Sequence, residues 1–417
     1  MRRPPLGAPG TQKKQPAKKK KPAQRPAPTP LPEVLDCFAA VAPGLEALAL
    51  AESRALGLDA VEEPGGFGWK GDIRSVLRAN LGLRIASRIL VRLASFEARS
   101  FAELERHARQ IPWSRIVRPT DAVRFRVTCK KSRLYHSDAV AQRLADAVVR
   151  ALPGVRAEGS SIGELDEDSV DGEHTVLFVV RLLRDRCTVS ADASGELLHR
   201  RGYRQATAKA PLRETLAAAL LAASGWDHVA SLVDPLCGSG TIPIEAALMA
   251  RGVAPGARRS FAAEQWPGLS AAVVAEVRAE LAARAVDRAP GAIVGSDRDA
   301  GAIEAARANS ERAGTSADVE LAIHALSQMP LPAGDPGWIV ANPPYGVRVG
   351  ESDRVRDLWA QLGNVLRQRA PGWRVALLSP DPALERQLQL PLRVAAQTSN
   401  GGIPVRIVVG QVPAKSR

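Results

Sequence analysis

The chain has 417 residues, 45% of them apolar, and its 57 lysines and arginines exceed its 44 acidic residues by a formal net charge of +13. This length supports two or three domains with cores of their own. No apolar run reaches the roughly 18 residues that a membrane span needs, and the charged, proline-rich N-terminus lacks the apolar segment of a secretory signal. Four scattered cysteines without a C-x-x-C pair argue against a disulfide framework and a structural zinc site, and they favour a reducing, cytoplasmic compartment.

Much of the positive charge lies in the first thirty residues. This segment holds nine basic residues and no acidic one, which leaves +4 for the remainder of the chain. Residues 1–31 are rich in Lys, Pro, Ala and Gln and cannot bury a core, so we expect a disordered basic tail. Two roles stay open for it: a sequence-independent contact with phosphate, or a solubilising extension.

Residues 32–195 form the next region, where short helices and strands alternate. Apolar spacing predicts helices at 44–54, 73–81, 101–111 and 137–152, and strands at 86–96, 122–128 and 174–181. Elements of this size indicate one or two compact α+β units. A polar, acidic loop at 158–173 precedes the last strand, and the turn at 192–195 separates this region from the second half.

Residues 196–417 show a different pattern of predicted secondary structure. From residue 229 onward, strands and helices alternate as in the βαβ units of a parallel sheet. Clear helices are predicted at 271–289 and 300–313, and strands at 373–378, 392–396 and 403–409. The close turn Asn400-Gly-Gly402 joins the last two strands as a hairpin, so we expect an α/β domain whose mostly parallel sheet ends in an antiparallel strand.

A glycine-rich turn follows the apolar strand at 229–233. It reads Asp234-Pro-Leu-Cys237-Gly238-Ser-Gly240-Thr241 and leads into a helical segment. Glycines here allow a tight turn and close approach of a ligand, and N–H groups at a helix start favour anionic groups. The turn lacks the Lys-Ser or Lys-Thr of a phosphate loop and the full dinucleotide spacing. The next strand ends in Asp297, where doubly wound sheets usually hold a ribose diol.

A third motif, Asn342-Pro343-Pro344-Tyr345, follows a buried-type apolar run. Proline fixes φ and supplies no N–H, so carbonyls in this turn can face a ligand. Asn342 Oδ1 and the Pro343 carbonyl would accept the two protons of an exocyclic amine, while Tyr345 stacks on the ring. The order of glycine-rich turn, acidic strand end and N-P-P-Y is that of S-adenosylmethionine-dependent amino-methyltransferases, so we expect S-adenosyl-L-methionine as the cofactor.

Beyond these motifs, the region from about residue 39 to 403 resembles the bacterial 23S rRNA (guanine-N2)-methyltransferase family. The resemblance rests on motifs at 129–136, 198–204, 210–215, 234–247, 253–256, 261–266, 295–297 and 342–346. It implies a ferredoxin-like and THUMP RNA-binding region followed by a class I, Rossmann-like methyltransferase domain. It also implies a cytoplasmic enzyme that methylates a guanine amine on structured RNA.

The resemblance assigns roles to the residues that match the family motifs. It implies a catalytic role for Asn342, Pro343 and Tyr345, and cofactor contacts for Pro211, Leu212, Asp234, Cys237, Gly238, Gly240, Thr241 and Asp297. Two positions depart from the family. Ala325 stands where an acid usually holds the adenine amine, so a backbone carbonyl or a neighbouring side chain would make that contact, and Val347 stands where Glu is frequent.

Clustered basic residues are candidates for phosphate contacts. They are Lys130, Lys131 and Arg133 after one strand, and Arg201 and Arg204 near the start of the second half. A solvated surface is the alternative for the first group and a linker role for the second. The six histidines show no H-x-x-x-H spacing, so we expect no metal. We expect a monomer that binds RNA and no membrane.

The sequence leaves more than one function open. A guanine-N2-methyltransferase acting on 23S rRNA is favoured, and a tRNA guanine-N2-methyltransferase uses the same two domains. N-P-P-Y also serves DNA adenine-N6 and protein glutamine methylation, but the RNA-binding-like first half argues against both. A non-catalytic RNA-binding or ribosome assembly factor is the alternative from a different class, and Ala325 is its only support in the sequence.

Overall fold

The computed structural model describes residues 30–159, 175–205, 212–345 and 352–414. Within these ranges the framework consists of two mixed β-sheets, one of eight strands and one of seven. The predicted basic tail lies almost entirely outside the described residues, as do Pro211 and Val347 and most of the predicted acidic loop.

The eight-stranded sheet belongs to the N-terminal half. Its strands are β1 (Leu35–Ala40), β2 (Ala60–Glu63), β3 (Gly66–Gly71), β4 (Arg88–Glu97), β5 (Ala122–Lys130), β6 (Arg156–Ala157), β7 (Thr175–Leu183) and β8 (Arg186–Asp192). The helices of this half are α1 (Glu46–Ala55), α2 (Ile73–Gly82), α3 (Phe101–Ala108) and α4 (Ser137–Ala151). The strand order is β2-β3-β1-β4-β8-β7-β5-β6, and among the strands of the described residues the parallel pairs are those of β5 with β6 and β7.

The four helices predicted in this half are confirmed, and local caps explain two of their starts. The Asp72 carboxylate accepts from the backbone N–H of Ser75 at 2.8 Å before α2, and Ser100 caps α3 in the same way. Strand β8 was not predicted. It is joined to β7 by a two-residue turn in which Arg184 and Asp185 have φ of 51° and 66°. Such turns usually contain glycine or asparagine, so no residue of this turn predicts a hairpin.

The seven-stranded sheet belongs to the C-terminal half. Its strands are β9 (Leu232–Asp234), β10 (Ile293–Asp297), β11 (Val319–Ile323), β12 (Trp338–Ala341), β13 (Arg374–Ser379), β14 (Leu392–Asn400) and β15 (Ile403–Gln411). The helices are α5 (Glu214–Ser224), α6 (Thr241–Ala250), α7 (Ala271–Ala282), α8 (Ala300–Ala313), α9 (Ser352–Arg369) and α10 (Pro382–Gln387). Short 3₁₀ helices lie at Trp113–Arg115, Ala262–Gln265 and Leu326–Gln328.

The order of this sheet is β11-β10-β9-β12-β13-β15-β14. The first five strands in that order run parallel, and β15 pairs antiparallel with both β13 and β14. This confirms the predicted α/β class with a mostly parallel sheet and an antiparallel terminal strand. One helix is shorter than predicted: α7 ends at Ala282, because the chain turns away and the Val286 N–H bonds the Arg251 carbonyl at 2.9 Å.

The two halves pack directly on each other. Arg74 of α2 pairs with Glu276 of α7 at 2.6 Å, and the α2–α7 contact continues through Arg78 and Glu280 at 3.4 Å. Arg84, just after α2, donates from Nη2 to the carbonyls of Leu248 and Val253 at the C-terminal end of α6. A cation at the C-terminal end of a helix also interacts favourably with the negative end of the helix dipole. The N-terminal half therefore holds one end of the helix that begins at the glycine-rich turn.

Buried apolar side chains support both sheets. The larger cluster extends from β1 to β15 and includes Leu77 of α2 and Ala217 of α5. A second cluster lies between β12, β13 and α9, where Trp359 is fully buried. Among the described helices, none combines the length and apolar character needed to cross a membrane.

Candidate active site

Four neighbouring parallel strands bring the predicted site residues to one edge of the second sheet. Carboxyl ends of parallel strands meet at the same edge, which is where open α/β sheets bind ligands. Strand β9 ends in Asp234 and β10 in Asp297, and Asn342 directly follows β12. Ala325 lies just beyond the end of β11. Motifs separated by more than a hundred residues therefore share one edge.

Hydrogen bonds fold the glycine-rich turn against β10. The Asp234 carboxylate accepts from the Leu236 N–H at 3.1 Å, and the Cys237 N–H donates to the Ser296 carbonyl at 3.0 Å. The Gly238 N–H donates to Asp297 Oδ2 at 3.1 Å. The turn and the acidic strand end thus form one unit, as the order of the motifs in the sequence suggested.

The two glycines of the turn differ in their surroundings. Gly240 has φ +82°, and a Cβ there would lie 3.0 Å from the Cβ of Ala306 in α8, so the glycine permits close helix packing. Gly238 has φ +52°, and a Cβ there would meet no atom within 4 Å. The backbone at Gly238 therefore faces open space beside Asp297. This arrangement fits a ribose-bearing cofactor.

Burial raises the pKa values of two side chains in the turn. Asp234 is 1% exposed, and burial raises the pKa of its carboxyl well above the usual value, with a smaller contribution from the negative charge of Asp297. Burial also raises the pKa of the Cys237 thiol. A thiol with a raised pKa is a poor nucleophile, and the Cys237 side chain is buried in the turn.

Both carboxylate oxygens of Asp297 accept hydrogen bonds from the backbone. Its Oδ1 accepts from the Asp299 N–H at 3.0 Å while Oδ2 accepts from Gly238, and each carboxylate oxygen keeps further acceptor capacity. The backbone of Asp297 also accepts from the His324 N–H at 3.0 Å, which fixes the end of β11 beside it. Ala325 is exposed at that end, and its methyl group carries no acceptor.

The N-P-P-Y motif is held by three hydrogen bonds. The Tyr345 hydroxyl donates to Asn342 Oδ1 at 2.6 Å, and Asn400 Nδ2 donates to the Tyr345 hydroxyl at 3.1 Å. Trp359 Nε1 donates to the Pro344 carbonyl at 3.3 Å, while Pro343 is buried. Burial raises the pKa of Tyr345, so its hydroxyl stays protonated and remains a donor. The tyrosine therefore makes a polar contact that the sequence did not predict, in addition to any stacking role.

The structure contradicts the predicted RNA contact at Arg201. This residue is 3% exposed, and its guanidinium donates to the carbonyls of Leu198 and Arg84, both at 2.5 Å. Its Nε lies 3.6 Å from Glu245 Oε1 on α6. The prediction is wrong because the cation satisfies buried acceptors between the two halves of the protein.

The same correction applies to Arg204, whose side chain is 11% exposed. Its Nη2 donates to Thr241 Oγ1 at 3.0 Å and to the Leu212 carbonyl, and its Nε lies 3.2 Å from Glu214 Oε1. Thr241 is the first residue of α6, and Leu212 is buried next to α5. Arg204 thus connects two predicted cofactor-binding residues instead of facing solvent.

Lys130, Lys131 and Arg133 are exposed at one tip of the first sheet. The β7–β8 turn reaches the same tip, because the Arg184 N–H bonds the Lys130 carbonyl at 3.2 Å and the Arg133 N–H bonds Asp185 Oδ1 at 2.7 Å. The turn adds two exposed cations that the sequence prediction missed, Arg184 and Arg186, and Tyr135 is 68% exposed nearby in the chain. This tip, formed by residues 130–135 and 184–186, is named the basic tip.

Domain-family matches cover most of the chain. Residues 36–90 match the RlmL ferredoxin-like domain, residues 98–192 match the THUMP domain, and residues 201–407 match the RMKL-like methyltransferase domain. A candidate RNA methyltransferase from Synechocystis sp. is 33% identical over 373 residues, which are 89% of this chain and 95% of that protein. The ribosomal RNA large subunit methyltransferase K/L of Syntrophotalea carbinolica is 34% identical over 388 residues, 89% of this chain. The chain spans about half the length of that K/L protein, 53% of it.

Solved structures of methyltransferases are similar to almost the whole chain. SMU.472, a candidate methyltransferase in complex with S-adenosylhomocysteine, is 29% identical with a TM-score of 0.80, over 93% of this chain and 100% of that chain. A predicted N6-adenine-specific DNA methylase from Listeria monocytogenes is 30% identical with a TM-score of 0.80, over 91% of this chain and 97% of its own. The methyltransferase domain and the product-bound neighbour confirm S-adenosylmethionine as the cofactor. The chain belongs to the family of RMKL-like, S-adenosylmethionine-dependent methyltransferases that carry ferredoxin-like and THUMP domains before the methyltransferase domain.

Proposed function

We propose that this methyltransferase transfers a methyl group to the exocyclic N2 amine of a guanine in 23S rRNA. The observation that carries the proposal is the arrangement at the sheet edge. Asn342 and Tyr345 follow β12, and β12 pairs with β9, the strand that leads into the glycine-rich turn. An amine-binding motif and a cofactor-binding turn on adjacent strands suit direct transfer between two bound molecules.

The cofactor contacts are proposed from residues of the turn and its neighbours. Gly238 gives the backbone its close approach to the cofactor, Gly240 lets the turn pack closely against α8, and Asp297 accepts hydrogen bonds from the ribose hydroxyls. Asp234, Cys237 and Thr241 shape the turn, and Arg204 joins the Leu212 carbonyl to Thr241. Because Ala325 has no side-chain acceptor, backbone groups beyond β11 take over the adenine contact. The bound cofactor supplies an electrophilic methyl group on a sulfonium.

Asn342 and Pro343 activate the target amine. The lone pair of a guanine N2 amine is delocalised into the ring, so the amine is a poor nucleophile. Acceptance of its two hydrogens by Asn342 Oδ1 and the Pro343 carbonyl favours a pyramidal nitrogen and stabilises the positive charge that grows on it. The loss of one such fixed partner costs about 3 kcal/mol, or roughly a hundredfold in rate. No strong general base is needed, because the methylated ammonium is acidic and loses its proton to water.

The target base has to leave its stack before it reaches this edge. The ring of Tyr345 offers a replacement stacking surface for a flipped base, while its hydroxyl keeps the contact with Asn342. The cations of the basic tip bind the RNA backbone, and the exposed Tyr135 ring is available to an unstacked base. The THUMP match over the same residues supports RNA over DNA or protein as the substrate class. The names of the K/L relatives support large-subunit rRNA over tRNA.

Nucleoside analysis tests this proposal. The purified protein is incubated with labelled S-adenosylmethionine and unmodified 23S rRNA, with tRNA and duplex DNA as parallel substrates. We expect N2-methylguanosine in the rRNA alone. Label in tRNA alone would contradict the substrate, and N6-methyladenosine in any of them would contradict the proposed base.

A further inference from the structure

The tip of the β14–β15 hairpin contacts the proposed catalytic motif. Asn400, the last residue of β14, donates from Nδ2 to the Tyr345 hydroxyl at 3.1 Å, and this hydroxyl donates to Asn342 Oδ1 at 2.6 Å. Asn400 lies 55 residues beyond Tyr345 in the chain. Only the return of the antiparallel hairpin to the edge of the sheet brings it to the motif.

The three side chains form a relay with a defined direction. A tyrosine hydroxyl has one hydrogen to donate and accepts through its lone pairs. Because Asn400 donates into the hydroxyl oxygen, the single hydrogen of Tyr345 is directed to Asn342. Consecutive hydrogen bonds of this kind also polarise one another. Burial raises the pKa of Tyr345, so the hydrogen stays on the hydroxyl at all pH values at which the protein would be assayed.

This direction determines which end of the Asn342 amide lies at the tyrosine. A primary amide presents an acceptor oxygen at one end and two donor hydrogens at the other, and rotation by half a turn exchanges them. A donating Tyr345 hydroxyl selects the oxygen, and the second lone pair of that oxygen stays available for the target amine. A rotated amide would present N–H groups to an amine that must itself donate. We propose, on the basis of the proposed function, that Asn400 is a positioning residue that acts through the Tyr345 hydroxyl to keep the Asn342 amide in its accepting orientation.

The backbone at Asn400 is suited to this role. Asn400 pairs with Ile403 across the hairpin, and the two residues between them, Gly401 and Gly402, have φ of 57° and 83°. A two-residue turn with positive φ at both positions is the tight hairpin connection that fits the twist of the strands. The neighbouring Ser399 is exposed on the other face of the strand, so it provides a matched control position.

The test uses one spectroscopic and one kinetic measurement on the full chain. The protein has three tyrosines, Tyr135, Tyr203 and Tyr345, so labelling of the tyrosine ring carbon that carries the hydroxyl gives three NMR signals. Asn400→Ala removes the donor, and Asn400→Asp removes it with little change in shape. We expect both substitutions to shift the Tyr345 signal alone. We also expect kcat to fall about 3- to 10-fold, the value of one neutral hydrogen bond, with little change in KM for S-adenosylmethionine or RNA. Ser399→Ala should change neither measurement.

The two measurements separate failure of the relay from failure of the proposed function. An unshifted Tyr345 signal in both Asn400 variants would overturn the relay. A shifted signal with unchanged kcat would overturn the positioning role, because the bond would then exist without effect on catalysis. Absence of guanine methylation in the unsubstituted protein would overturn the proposed function, and the tyrosine signals would still decide whether the relay exists.

Discussion

Substitution of Arg204 distinguishes an internal role of this residue from the RNA contact that its sequence context suggests. One nitrogen of its guanidinium, Nη2, bonds both Thr241 Oγ1 and the Leu212 carbonyl, and Nε lies 3.2 Å from Glu214. In Arg204→Gln the segment at Leu212 loses its attachment to the start of α6. In Arg204→Lys a single ammonium retains the charge but cannot provide the planar set of donors.

The expected magnitude follows from the cost of ordering the chain. To fix the backbone of one residue costs about 1–2 kcal/mol. If Leu212 has to be ordered when the cofactor binds, the Kd for S-adenosylmethionine rises about 5- to 30-fold in Arg204→Gln. Arg204→Lys should fall between this variant and the unsubstituted protein. Affinity for RNA should stay within about twofold, because a side chain with 11% exposure offers phosphate little access.

Calorimetry with S-adenosylmethionine and filter binding with rRNA at several salt concentrations measure the two affinities. Arg200→Gln is the matched control, since Arg200 is a neighbouring arginine with 33% side-chain exposure and a pairing with Glu196 at 3.3 Å. A melting curve for each variant excludes global unfolding. Unchanged cofactor affinity together with weaker RNA binding and a salt slope reduced by about 1 would refute the internal role and restore the RNA contact.

Three further predictions address other parts of the molecule. Tyr345→Phe keeps the ring but removes the hydroxyl between Asn342 and Asn400. We therefore expect kcat to fall about 5- to 50-fold. Full activity of this variant would leave stacking as the role of Tyr345. Burial, with a smaller contribution from the negative charge of Glu245, raises the pKa of Glu214 to about 7 despite the nearby Arg204. The contribution of this group to stability is therefore complete below about pH 4.5 and is lost as the pH rises through 7. The melting temperature of the unsubstituted protein should therefore fall relative to Glu214→Gln between pH 5 and 8, and a constant difference would contradict the shifted pKa. Removal of residues 1–30 should weaken RNA binding and flatten its salt dependence without a change in melting temperature, and an unchanged salt slope would exclude phosphate contact by the tail.

The sequence predicted the architecture well where local patterns determine structure. Apolar runs of strand length, separated by helices, identified the parallel core of the second sheet, and the Asn-Gly-Gly turn identified its terminal hairpin. The three chemical motifs each follow a strand, so the parallel arrangement alone brings them to one edge. The missed strand β8 marks the limit of this approach, because Arg184 and Asp185 form its turn without the glycine or asparagine that such turns usually contain.

Side-chain partners that are distant in sequence could not be predicted. A cluster of arginines looks the same in sequence whether it faces RNA or buried acceptors, and only the fold shows that Arg201 meets Glu245 and that Arg204 meets Thr241. The same holds for Asn400, which the sequence identified as a turn residue and which the fold brings to Tyr345. In contrast, Lys130 and Lys131 were recognised as basic residues at a strand end and are exposed there.

Transfer of labelled methyl groups to unmodified 23S rRNA by the unsubstituted protein and by Asn342→Ala tests the central claim most directly. We expect N2-methylguanosine from the unsubstituted protein and a loss of about a hundredfold or more in Asn342→Ala, whose affinity for S-adenosylmethionine should be almost unchanged. Equal loss of cofactor affinity and transfer would show that Asn342 supports the cofactor site instead of the amine. Absence of N2-methylguanosine with the unsubstituted protein would contradict the proposed function.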